Sequence, residues 1–175
     1  MTTVSIFADA SIYPDRCGCG WSFKSGTTVG NGNAAIVKSG LKIHEAELWG
    51  VCTAICEATA RHTERPLSLV VQCDSLAALQ SLLRLAHGRP SKSVAWLPRS
   101  EIKSRMDVEW HPRSALRPRA TSRVLSPFEI DCLEAIRSEQ PTRIRLKHVK
   151  GHRGSSDARS RINTLVDTLA KEATK

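Results

Sequence analysis

Residues 67–75 read Leu67-Ser-Leu-Val-Val-Gln-Cys73-Asp74-Ser75. A nearly continuous apolar run rich in β-branched residues describes a strand buried on both faces, as in a mixed or parallel sheet covered by helices. The run stops at a carboxylate, and Ser75 is placed to cap a helix reaching about Ala86, with leucines at 76, 79, 82, 83 and 85 to pack on that sheet. Upstream, Val4, Ile6 and Ala8 alternate with Ser5, Phe7 and Asp9, so a first strand also ends in a carboxylate. Residues 14–20 read as a turn. The short strands Gly20-Trp-Ser-Phe-Lys-Ser25 and Asn33-Ala-Ala-Ile-Val-Lys38 follow, separated by a glycine-rich turn over residues 26–32, so the first forty residues form an antiparallel meander.

Three further elements complete the pattern. Leu48, Val51, Cys52, Ile55 and Ala58 mark one face of a helix, with Glu45 and Glu47 in its first turn, where acidic groups suit the helix dipole. Ser126-Pro-Phe-Glu129 is a capping box that opens a helix to about Ser138. Arg143, Arg145 and Lys147 alternate with Ile144, Leu146 and His148 in a strand over 142–149, and Ile162, Leu165, Val166, Leu169, Ala170 and Ala173 line one side of the last helix, with Asp167 projecting beside them.

At 175 residues the chain is expected to form a single domain spanning 1–175. Its 26 lysines and arginines against 17 acidic residues leave a net charge of +9, which favours acidic partners, while 41% apolar residues exclude a disordered polyelectrolyte. The charge concentrates in a basic insertion at about 87–125, where nine basic residues meet three acidic ones. Trp96 and Trp110 lie among those cations, either as platforms for nucleic acid or as anchors of a surface insertion. Apolar runs are too short to span a membrane, and the N-terminal stretch lacks the features of a secretory signal, so a cytoplasmic location is expected. The six cysteines read as reduced thiols; neither Cys17-x-Cys19 nor the pair Cys52 and Cys56 has the spacing of a structural zinc site.

Four carboxylates stand where stability does not ask for them: Asp9, Glu47, Asp74 and Asp167. Singly, Asp74 could cap a helix, Glu47 could serve the helix dipole and Asp167 could face solvent. If the strands ending in Asp9 and Asp74 are neighbours, however, two carboxylates meet at one sheet end, and a hard cation relieves their repulsion. Oxygen ligands suit Mg²⁺ or Mn²⁺, and two such ions about 4 Å apart serve phosphodiester displacement.

In order and context these residues resemble the type 1 ribonuclease H family. Ile6-Phe-Ala-Asp9-Ala-Ser stands for its Asp-Gly-Ser strand end, Ala46-Glu47-Leu48 for its helix glutamate and Cys73-Asp74-Ser75 for its Thr-Asp-Ser. Val149-Lys150-Gly-His152 is similar to its Val-Lys-Gly-His loop, and Asn163-Thr-Leu-Val-Asp167-Thr-Leu-Ala to its closing helix. The resemblance implies a ribonuclease H-like α/β fold: a five-stranded mixed sheet, antiparallel meander then parallel strands, flanked by helices. It implies an endonuclease that hydrolyses the RNA strand of RNA/DNA hybrids with two Mg²⁺ ions, Mn²⁺ being a possible substitute, and leaves 5′-phosphate and 3′-hydroxyl ends. Asp9 would bridge the metals, Asp167 would hold the ion that activates water, and Glu47 and Asp74 the ion on the leaving-group side. His152 would assist proton transfer or product departure. Asn163 could orient Asp167, one helical turn away. Expected substrate contacts are Trp96, Arg113, Arg117, Arg119, His44, Lys150 and Asn163.

Departures bear on substrate choice. Lys42-Ile43-His44 replaces an asparagine-rich stretch, Ala10 a glycine, Leu76 an often polar residue, and the loop from His152 to Asp167 is longer than in many members. Two alternatives therefore stay open: a related nuclease acting on structured DNA or double-stranded RNA, and a noncatalytic nucleic-acid-binding module. The partner expected is an RNA/DNA hybrid, with no membrane involved and the protein a monomer.

Overall fold

The computed structural model describes residues 2–62, 67–82, 109–110, 126–139, 143–149 and 158–175. Strands β1 (Thr2–Ile12), β2 (Arg16–Ser25) and β3 (Thr28–Val37) form the meander. Helix α1 (Ile43–Arg61) leads to β4 (Leu67–Cys73) and α2 (Leu76–Leu82). After β5 (Glu109–Trp110) come α3 (Pro127–Glu139), β6 (Arg143–His148) and α4 (Ala158–Glu172). The sheet order is β3-β2-β1-β4-β6-β5. β1, β4 and β6 run parallel at its centre, as the buried run at 67–73 requires, and the meander supplies the antiparallel side. Five strands match the expected mixed sheet; the two-residue β5 adds an antiparallel edge within the basic insertion. Otherwise that insertion lies outside the described residues.

One face of the sheet carries the apolar core. Val4, Ile6, Leu69, Val71, Ile144 and Leu146 pack there with Leu48, Val51 and Ile55 of α1, Leu79 and Leu82 of α2, and Leu133 and Ile136 of α3. Among the described residues no helix is long and apolar enough to cross a membrane.

The glycine-rich stretches of the meander are strand, not turn. β2 begins at Arg16, so only residues 13–15 turn the chain, and β3 begins at Thr28 after Gly26-Thr27, with Gly26 at a φ of 56°. The glycines serve packing. Gly30 and Gly32 pair with Phe23 and Trp21, and a Cβ on either would strike those rings at 2.1 and 2.6 Å. Gly18 and Gly20 face α4, where a Cβ would come within 2.2 Å of the Ala170 and Val166 carbonyl oxygens. α4 therefore lies almost on the β2 backbone, and its buried line is Asn163, Val166 and Ala170, continued by Thr174 in the turn after it, whereas Leu165, expected in the apolar stripe, is 38% exposed. The helix is seated on one narrow glycine track, and among the described residues Leu165 lies off that track.

Candidate active site

The β1–β4 pairing runs from Thr2 opposite Leu67 to Phe7 opposite Gln72. Asp9 lies just beyond, at the carboxyl ends of two parallel strands, where α/β sheets present ligand crevices. Across β1, Asp9 is paired with Gly20, the residue that admits α4. On the α1 side a second glycine has the same effect: a Cβ on Gly50 would lie 3.0 Å from the Cys19 Cβ and 3.3 Å from the Asp9 carbonyl oxygen. Both helices thus approach β1 at Asp9, one bringing Glu47 and the other Asp167.

Glu47 is the fifth residue of α1 and lies buried, which corrects its placing in the first turn as a dipole partner. Glu45 takes that role instead, its Oε2 accepting the Lys42 N–H at 2.9 Å. Asp74 follows β4 directly, and the helix cap there is Ser75, whose Oγ accepts the Ala78 N–H at 3.3 Å. The main chain at Asp74 is pinned from β6: the Val149 N–H donates to the Cys73 carbonyl at 3.0 Å, and His148 Nε2 lies 3.1 Å from the Asp74 carbonyl oxygen. Asp167, half-buried on α4, accepts a hydrogen bond from Lys171 Nζ at 2.7 Å.

The four carboxylates interact. Burial, then the charges of Asp74 and Asp167, push Asp9 up to about 6, partly offset by the Ala10 N–H, which donates to Oδ1 at 2.8 Å, and by a hydrogen bond with Glu47. Burial, then the charges of Asp9 and Asp74, push Glu47 up to about 9. Near neutral pH, then, a protonated Glu47 donates to an ionised Asp9, a like-charge cluster relieved by sharing a proton. Even so, Glu47 Oε2 is buried with no hydrogen-bond partner among the described residues. An orphaned carboxylate oxygen is costly, and the carboxylates of Asp9, Asp74 and Asp167 around Glu47 and Asp9 are donors that fit a hard divalent cation. The residues present therefore fit the expected metal.

Sequence reasoning missed Lys171, whose signal was its i,i+4 spacing from Asp167. It also missed Cys73, whose Sγ lies with carboxylate oxygens of Glu47 and Asp74 in a group spanning at most 4.8 Å. Of the expected substrate contacts, His44 is half-buried beside Glu45 and Glu129, which cap α1 and α3. Asn163 is buried on α4, and the hydrogen bond on Asp167 comes from Lys171. Trp96, Arg113, Arg117, Arg119, Lys150 and His152 lie outside the described residues.

The order of these elements and the place of the carboxylates define a class: the chain has the ribonuclease H fold. No protein-family model matches it, nor does any curated protein. Among solved structures, it is similar to the N-terminal ribonuclease H domain of a Mycobacterium tuberculosis protein, solved as a fusion with maltose-binding protein. The TM-score is 0.61 at 18% identity, covering 99% of this chain and 94% of that one. Ribonuclease H1 from the halophilic archaeon Halobacterium salinarum matches with a TM-score of 0.56 at 17% identity over 98% of this chain and 97% of that one. LC11-RNase H1, solved in complex with an RNA/DNA hybrid, matches at 0.53 and 12% identity over 98% and 99%.

Proposed function

We propose that the protein is a type 1 ribonuclease H, a metal-dependent endonuclease that hydrolyses the RNA strand of RNA/DNA hybrids. One observation carries this reading: carboxylates from β1, α1, the end of β4 and α4 converge at one end of the sheet, where Glu47 keeps a buried oxygen without a donor among the described residues. Asp9 and Asp167 would hold one divalent ion, and Asp9, Glu47 and Asp74 a second. Bound there, Mg²⁺ or Mn²⁺ would supply an activated water and neutralise charge on the phosphodiester, giving 5′-phosphate and 3′-hydroxyl ends. The chain's own residues do the placing: Gly20 and Gly50 set the depth of the two helices, and His148 and the β6 ladder hold Asp74. His152 would assist proton transfer. The basic segment at about 87–125 would grip phosphates, within a single domain acting as a monomer. The six free cysteines suit a cytoplasmic location.

A labelled RNA/DNA hybrid, duplex DNA and duplex RNA offered side by side test the reading. The RNA of the hybrid should be cut in Mg²⁺ and spared in excess EDTA, and Asp9→Asn should bind hybrid without cutting it. Cleavage undiminished by EDTA would overturn the metal-dependent reading. Cutting confined to duplex DNA or duplex RNA would overturn the substrate.

A further inference from the structure

Cys73 ends β4 and is fully buried, and the hydrolysis proposed above has no use for a thiol. Its Sγ accepts the Ser75 N–H at 3.3 Å and lies with carboxylate oxygens of Glu47 and Asp74 in one group no more than 4.8 Å across. Sulfur is a soft donor. Zn²⁺ takes thiolate sulfur at about 2.3 Å and carboxylate oxygen at roughly 2.0–2.2 Å in a tetrahedral shell, so donors on one ion stand roughly 3.5 Å apart. A contraction of at most about 1.3 Å would close this group on an ion. A second observation points the same way: Glu47 is only 8% exposed, and its Oε2 has no hydrogen-bond partner among the described residues.

We propose that Glu47, Cys73 and Asp74 form a site for a thiophilic divalent ion such as Zn²⁺, overlapping the place where Glu47 and Asp74 would hold Mg²⁺. On binding, the thiol and the Glu47 carboxyl release their protons to solvent, and no electron changes hands. The site stands on geometry alone. Its consequence, inhibition by Zn²⁺ in competition with Mg²⁺, rests on the nuclease reading.

Reduced, metal-free protein titrated with Co²⁺ provides the test, because a cobalt–thiolate bond has its own charge-transfer absorption. The wild type should show that band and lose it as Zn²⁺ displaces Co²⁺. Cys73→Ser should lack the band and bind Zn²⁺ at least about tenfold more weakly, as loss of a ligand should cost no less than loss of the groups that orient one. Cys17→Ser removes another buried thiol beside Glu47 and should keep the band. Equal Mg²⁺ binding by calorimetry in wild type and Cys73→Ser would show that the carboxylates remain in place. Should Cys73→Ser fail to fold, X-ray absorption of the Zn²⁺-loaded wild type decides, with one sulfur at about 2.3 Å expected. An all-oxygen shell, a wild type without the band, or a band that survives in Cys73→Ser overturns the proposal. Mg²⁺-dependent cleavage without the band would sink this inference alone; the band without cleavage would sink the nuclease reading alone.

Discussion

Replacing Glu47 by glutamine should stabilise the metal-free protein at neutral pH and flatten its response to pH. In an unfolded chain this glutamate ionises near 4.5, whereas burial beside Asp9 and Asp74 pushes it up to about 9. Between those values the folded state keeps a proton that the unfolded state has released, so stability falls as pH rises, by about 1.4 kcal/mol per pH unit. The contribution is fully present below the unfolded value and lost once pH passes the folded one. From pH 5 to pH 7, Glu47 thus removes about 3 kcal/mol. Asp9, pushed from 3.8 up to about 6, adds a slope of the same sign that ends near the upper value. Glutamine keeps the shape and can still donate to Asp9, so the variant retains only the Asp9 share. Guanidinium unfolding in EDTA at pH 5, 6, 7 and 8 measures this. The wild type should weaken steadily and Glu47→Gln should level off above about pH 6, ending up to about 3 kcal/mol more stable at pH 7. Saturating Mg²⁺ should stabilise the wild type by more than the variant, because the ion binds the folded carboxylate cluster. Equal slopes in the two proteins would refute the reasoning, since Glu47 would then ionise alike in both states and lie in no such cluster.

Two further outcomes follow from the packing and the ion pair. Gly20→Ala places a methyl 2.2 Å from the Val166 carbonyl oxygen, so α4 must lift away from β2. Chemical denaturation should show a loss of about 1–3 kcal/mol or more, and the thermal shift produced by Mg²⁺ should shrink as Asp167 moves from Asp9; an unchanged shift would mean that the glycine does not set the depth of α4. Lys171→Met removes the ammonium that Asp167 now binds. Calorimetry should find Mg²⁺ bound a few-fold more tightly, and weaker binding would show that Lys171 organises the site rather than competing for it.

The amino-acid sequence by itself determined the elements and their chemistry, because those rest on local periodicity. The apolar run at 67–73, the alternation at 4–9 and the stripe through Leu48, Val51 and Ile55 are strand and helix signals that need no partner to be read, and they are β4, β1 and α1. The capping serines were legible for the same reason: Ser75 and Ser126 each cap a helix by accepting an N–H only three residues further along the chain. The acidic residues at Asp9, Glu47, Asp74 and Asp167 were legible as candidates, their number and order being matters of sequence. Tertiary structure alone decided what they became. Glycines at 18, 20, 30 and 32 look like turn formers in a linear reading, yet they are strand residues whose missing side chains admit α4 and two aromatic rings from elsewhere in the chain. Likewise the proton shared by Glu47 and Asp9 and the thiol of Cys73 beside the Glu47 carboxylate follow from burial and from charges distant in sequence, whereas Lys171 four residues after Asp167 was there to be read. Desolvation and Coulomb interaction depend on distances through space, and only folding sets those.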